Sequence, residues 1–202
     1  MKARISLNVH SKAVAMFIQT ESTPNPATLK FLPGQTVLET GTADFATAEA
    51  AEKSPLAQRI FAVNGVNGVF LGNDFVTVTK TDASEWDHIK PAILGAIMEH
   101  FQSGRPVMLD DAPGGSGHAE HSGEDAEIVS QIKELLDTRV RPAVAQDGGD
   151  ITFYGFERGV VYLHMQGACS GCPSSTITLK MGIENLLRHY IPEVTEVRPV
   201  GL

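Results

Sequence analysis

The sequence is poor in sulfur, in aromatic rings and in positive charge. It has two cysteines, one tryptophan, three tyrosines and nine phenylalanines in 202 residues. Two thiols three positions apart cannot build a disulfide framework, and they suit a reducing compartment. Sixteen Lys and Arg against 24 Asp and Glu leave a net charge of −8 and a pI near 5.3. That balance argues against nonspecific nucleic-acid binding, because affinity for phosphate rests on clustered basic side chains. No apolar run reaches the roughly 18 residues that a spanning helix needs, so no membrane partner is expected. No internal repeat relates the halves of the chain. No nucleophile, base and orienting group stand together in a catalytic pattern, so an enzyme is not expected either. The hydrophobic content of 42% is ordinary for globular protein, and the length suits one large or two small domains.

Both cysteines fall in one stretch, Met165 to Ser175, as the CxxC motif Cys169-Ser170-Gly171-Cys172. A β-branched apolar run precedes it and a helix-like pattern from Thr176 to Tyr190 follows, which puts the motif in a strand-to-helix turn. Pro173 suits the first helical position, where its missing N–H would be unpaired anyway. The free N–H groups and positive dipole end of that helix favour thiolate over thiol. Two thiolates do not complete a metal site, because structural zinc and the common iron–sulfur clusters take about four protein ligands. The other pair could come from a second copy of the chain or from histidines such as His164 and His189. With neither, the cysteines form a dithiol redox couple, as in thiol–disulfide oxidoreductases.

Along the chain, residues 1–15 carry Lys2, Arg4 and Lys12 and no acid, and are read as an extension outside the fold: a targeting segment, a start-site artefact or a cloning remnant. From Met16 the pattern predicts a hairpin, Phe17 to Thr20 and Thr28 to Leu32, around Thr23-Pro24-Asn25-Pro26, with Leu29 and Phe31 sharing one face. Ala43 to Glu52 reads as weakly helical, and Ser54-Pro55 as the opening of a short helix. Val66 to Leu71 and Phe75 to Lys80 read as a second hairpin. A helix to Gln102 follows, with Ser84 and Asp87 as a capping box and Leu94, Ile97, Met98 and Phe101 on its apolar face. Leu109 to Glu124 is Gly-rich with almost no apolar side chains, which predicts a flexible linker over 107–124 that lets two domains reorient independently. His118 and His121 lie in it and read as a solvated pair.

The region 125–202 reads as α-β-β-α-β. A helix from Asp125 to about Arg139 carries Ile128, Ile132, Leu135 and Leu136 on one stripe and is stopped or kinked by Arg141-Pro142. Asp147-Gly148-Gly149-Asp150 is a turn, then come strands Ile151 to Phe156 and Val160 to His164, the cysteine loop, a helix to Tyr190 with Leu179, Ile183, Leu186, Leu187 and Tyr190 on one side, and a last strand within Val194 to Val200. The fold class is therefore α+β: two small mixed domains, 16–106 and 125–202, joined by the linker.

Two separate motifs resemble one known family. Arg141-Pro142 through Asp147-Gly148-Gly149-Asp150, followed by Gly167-Ala168-Cys169-Ser170-Gly171-Cys172-Pro173-Ser174-Ser175-Thr176, resembles the C-terminal domain of NifU that the Nfu iron–sulfur carriers share. Phe17-Ile18-Gln19-Thr20-Glu21, Thr23-Pro24-Asn25-Pro26 and Leu29-Lys30-Phe31 resemble the Nfu N-terminal domain. The resemblance implies a carrier that takes a [4Fe-4S] cluster from the assembly machinery and passes it to apo-proteins. The cluster would bridge two subunits through Cys169 and Cys172 of each, giving a cluster-dependent homodimer. NifU's additional scaffold domain and ferredoxin-like region have no counterpart in this sequence, which therefore resembles the short carrier form. The setting implied is bacterial cytoplasm or, alternatively, the mitochondrial matrix.

Overall fold

The computed structural model describes residues 17–109, 125–171 and 173–200, without the side chains of 173–175. The extension at 1–15, the pair His118 and His121, most of the expected linker, and Cys172 lie outside the described residues.

The first unit is a five-stranded antiparallel sheet in the order β1-β2-β5-β4-β3. Strands β1 (Gln19–Ser22) and β2 (Thr28–Leu32) form the first expected hairpin. Strand β3 (Ala43–Phe45) overturns the helical reading of Ala43 to Glu52. Its three residues pair with Leu71, Phe70 and Val69, so the open edge of β4 (Val66–Leu71) outweighs the local preference of an Ala-rich stretch. Only a 3-10 turn at Ala50–Lys53 remains of that helix. Helix α1 (Pro55–Phe61) begins as expected: the Ser54 hydroxyl accepts from the Ala57 amide at 3.1 Å and donates to the Val107 carbonyl at 2.7 Å. Strand β5 (Val76–Lys80) completes the second hairpin.

Helix α2 (Trp86–Gln102) has no capping box, because the Ser84 hydroxyl is paired with that of Thr81 at 2.9 Å and Glu85 stands at the cap without a side-chain bond. Its buried line is Ile89, Ile93, Ile97 and His100, with Leu94, Met98 and Phe101 at the flank. Together α1 and α2 cover the sheet face that carries Phe31, Val69, Leu71, Val76 and Val78.

The second unit follows the expected α-β-β-α-β order. Helix α3 (Ala126–Leu135) does not stop at Pro142. It widens into a π turn at Leu136–Val140 and resumes as α4 (Arg141–Gln146). A proline has no N–H and its ring crowds the carbonyl four residues earlier, and the wider turn accommodates both effects. Strands β6 (Gly149–Glu157) and β7 (Val160–Gly167) are antiparallel around Arg158 and Gly159, both at positive φ. Helix α5 (Pro173–Tyr190) then returns the chain to β8 (Glu196–Val200), which runs parallel to β7. Ile132, Leu136, Ile151, Leu163, Leu187 and Val197 are at most 2% exposed and fill the core between this sheet and its helices. Tyr190, expected on the apolar stripe of α5, is 45% exposed with the Arg139 guanidinium over its ring. Among the described residues no helix is long and apolar enough to cross a membrane.

Candidate metal centre

Strand β7 delivers the chain into the cysteine loop, and the Asp147–Asp150 turn forms the opposite wall. Gly148 bends this turn at φ +83, which L side chains rarely adopt. Its carbonyl accepts the Ala168 amide at 3.1 Å and so ties turn to loop. The loop is closed further by the Cys169 amide on the Gln166 carbonyl at 3.3 Å and by the Ser170 hydroxyl on the Gly167 carbonyl at 2.9 Å. A Cβ on Gly149 would stand 2.5 Å from the Cys169 Sγ and 2.7 Å from the Gln166 carbonyl oxygen. Only glycine leaves the sulfur its place. Asp150 is 3% exposed and fully engaged by its neighbours. Its oxygens take a two-pronged bond from Arg141 at 2.8 and 2.9 Å and a further bond from the Ile151 amide at 2.8 Å, which pins the start of β6.

Cys169 is 5% exposed and packs with the core of the second unit. Burial, and then the carboxylates of Asp147 and Asp150, push its thiol up to about 12. At Cys169 this reverses the expectation that the helix start favours thiolate: its sulfur is turned into the core. A metal bound there would have to displace a proton held firmly in the metal-free chain. Among the described residues no group of three or more His, Cys, Asp and Glu converges to hold a metal. His164 lies near Asp44 of the other unit, and its Nε2 is buried without a partner. His189 sits edge-on to Tyr190 at 4.9 Å. Neither joins Cys169 in such a group.

Residues to which the sequence reading gave no role at the cysteines reach the loop from the first unit. The Asn25 carboxamide donates to the Ser170 carbonyl, inside the CxxC motif, at 2.9 Å. Lys30 is 7% exposed and donates to the last carbonyls of α4, those of Ala145 at 3.2 Å and Gln146 at 2.9 Å. The Thr77 hydroxyl donates to the Gly148 carbonyl at 2.6 Å, and that of Thr42 to Asp150 at 2.9 Å. The two units, expected to reorient independently, are in contact here. The signal in the sequence was the pair Phe70 and Phe75, two large rings that fall outside the core beneath α1 and α2 and lie 6.0 Å apart. A sheet face that carries both cannot be wholly solvated.

Comparison with known proteins decides the family. A model described as scaffold protein Nfu/NifU N terminal matches residues 18–104, and one described as NifU-like domain matches residues 132–198. A human protein named NFU1 iron-sulfur cluster scaffold homolog, mitochondrial, is 54% identical over 186 residues, which is 92% of this chain and 72% of that protein. The chain belongs to the Nfu family. NifU-like protein 4, mitochondrial, of Arabidopsis thaliana is 55% identical over 90% of the chain, and the chain spans 65% of that relative's length. The solution structure of a NifU-like protein from Saccharomyces cerevisiae covers 48% of this Nfu chain and 87% of its own at 28% identity, with a TM-score of 0.43. The two matched segments coincide with the two sheets, so the Nfu-type first unit is the one that seats the NifU-like cysteine loop.

Proposed function

We propose that this Nfu chain is an iron–sulfur carrier that holds a [4Fe-4S] cluster between two copies through Cys169 and Cys172 of each, and passes it to apo-proteins. The observation that carries the reading is the sulfur's setting: a loop at a strand-to-helix junction, cleared by Gly149 to seat one sulfur, with two cysteines in the whole chain. Four thiolates are the usual ligand set of such a cluster, and two copies supply four. The words iron-sulfur cluster scaffold in the human relative's name support a carrier over a thiol–disulfide oxidoreductase or a zinc protein. Of the two compartments, those names support the mitochondrial one, and bacterial cytoplasm has no support among them. A ligand set divided between separable chains suits cargo. Four thiolates hold the cluster in the pair, yet a thiolate of a recipient protein can replace them one at a time. The donor is the assembly machinery and the recipients are apo iron–sulfur proteins. The chain binds and releases and does not catalyse.

Anaerobic reconstitution tests this, read by iron and sulfide content, absorption and Mössbauer spectra. The expected outcome is about two irons and two sulfides per chain, from one four-iron cluster shared by two chains. A complete cluster on each isolated monomer would refute the bridging arrangement, and zinc without sulfide would select the structural-site reading.

A further inference from the structure

The outer face of the amino-terminal sheet is built to receive the cysteine loop. Alternation along β2, β5 and β4 puts Phe31, Val76, Val78, Val69 and Leu71 toward α1 and α2, and therefore Thr28, Lys30, Thr77 and Phe70 on the other side. Those four are buried too, at 2%, 7%, 1% and 1% exposure. Most of the polar contacts run one way: the first unit supplies donors, from Asn25, Lys30, Thr42 and Thr77, to acceptors of the second, the carbonyls of Ser170, Ala145, Gln146 and Gly148 and the Asp150 carboxylate, while Asp44 of the first unit accepts the Gly167 amide. The Lys30 ammonium lies 4.8 Å from the Phe75 ring centroid and meets the negative end of α4. The fit extends to shape. A Cβ on Gly148 would meet Thr77 Oγ1 at 2.8 Å, and one on Gly167 would meet the Phe70 ring at 2.9 Å, so two glycines of the second unit make room for side chains of the first.

Cys169 lies between two backbone segments, and this face grips both. On one side Thr77 holds Gly148, whose carbonyl also receives the Ala168 amide. On the other Asn25 holds Ser170. We propose that the amino-terminal domain is a latch on the cysteine loop: Asn25, Lys30 and Thr77 clamp the walls around Cys169, and the thiol becomes accessible when this face releases them. The latch is a property of the metal-free chain and stands whether or not the loop carries a cluster. Under the proposed function it sets when the loop can be loaded.

The test uses the full chain with Cys172→Ser, so that Cys169 is the sole thiol, and measures its alkylation by excess iodoacetamide at fixed pH. Asn25→Asp keeps the acceptor for the Ala27 amide and replaces the donor to Ser170 with a repelling oxygen. Lys30→Met keeps the apolar stem, and Thr77→Val keeps the shape. Each lost bond shifts the opening equilibrium, so the combined variant is expected to alkylate at least about tenfold faster than its parent. Small-angle scattering should show a larger radius of gyration, while the urea transition stays cooperative and rates in denaturant agree. The single variants Thr77→Val and Lys30→Met, each faster by a smaller factor, keep the test open if the combination does not fold. Equal alkylation rates in folded parent and variants would overturn the latch, all the more so if the variant had expanded.

Discussion

At Gly149 the identity of one residue is decided by the position of one sulfur. The strand could tolerate a side chain there by backbone conformation, since Gly149 is not among the positive-φ positions. What forbids it is the Cys169 Sγ at 2.5 Å and two backbone atoms within 2.9 Å of a Cβ. Backbone cannot swing away, so Gly149→Ala must push the loop outward or open the β6–β7 pairing. The expected cost is about 1–3 kcal/mol, the usual range for overpacking a filled site. Gly155, on the same strand with nothing within 4 Å of its Cβ, is the matched control. Gly155→Ala should change stability by less than about 0.5 kcal/mol. Urea midpoints for the two variants decide it, and equal shifts would mean that the sulfur's seat is soft.

At the scale of elements, α5 shows both what the sequence conveyed and what it did not. Its start at Pro173, its end at Tyr190 and its inner face through Ile183 and Leu187 follow from proline placement and 3.6-residue periodicity. The hairpins and the strand-to-helix setting of Cys169 were legible for the same reason, because turn residues and alternation act locally. Strand β3 was not, because three residues become a strand only when a neighbour's edge is there to pair. The second buried face of the first sheet left only the signal of Phe70 and Phe75. Lys30 and Thr77 are polar, and what buries them is a partner from more than 70 residues away. The burial of Cys169, which reverses the thiolate expectation at that residue, comes from the core of the second unit, in which its sulfur packs, and so depends on tertiary structure. The outer face of α5 remains uncovered: Ile177 and Met181, one turn apart just after the cysteine loop, are each 58% exposed. Under the proposed bridging they flank the line where a second copy would meet the first. Ile177→Asp with Met181→Asp should therefore leave the urea midpoint within about 0.5 kcal/mol of the parent and weaken pairing of loaded chains at least about tenfold. Cluster-loaded dimers of unchanged affinity would move the interface elsewhere on the surface.

For the whole molecule, cluster and assembly should be linked. Each copy carries a charge of −8, so two copies repel, and close approach needs a compensating gain. Under the proposed bridging, four cluster–thiolate bonds shared between the copies would supply it. If only the pair binds the cluster, loading draws monomers into dimers by mass action. The dependence is reciprocal, so dilution promotes cluster loss and a chelator that strips iron returns monomers. Added salt screens the repulsion and should tighten the loaded dimer. Sedimentation velocity across a dilution series, followed at the protein and cluster absorption bands, measures all of this at once. Cys169→Ser and Cys172→Ser should both stay monomeric under loading conditions. Cys169→Ser should also lose roughly 1–3 kcal/mol of stability, because the Cys169 site is buried and would strand a hydroxyl there. Loaded protein that sediments as a monomer, or metal-free protein that stays dimeric at every dilution, would separate assembly from the cluster and leave the second pair of ligands to be found elsewhere.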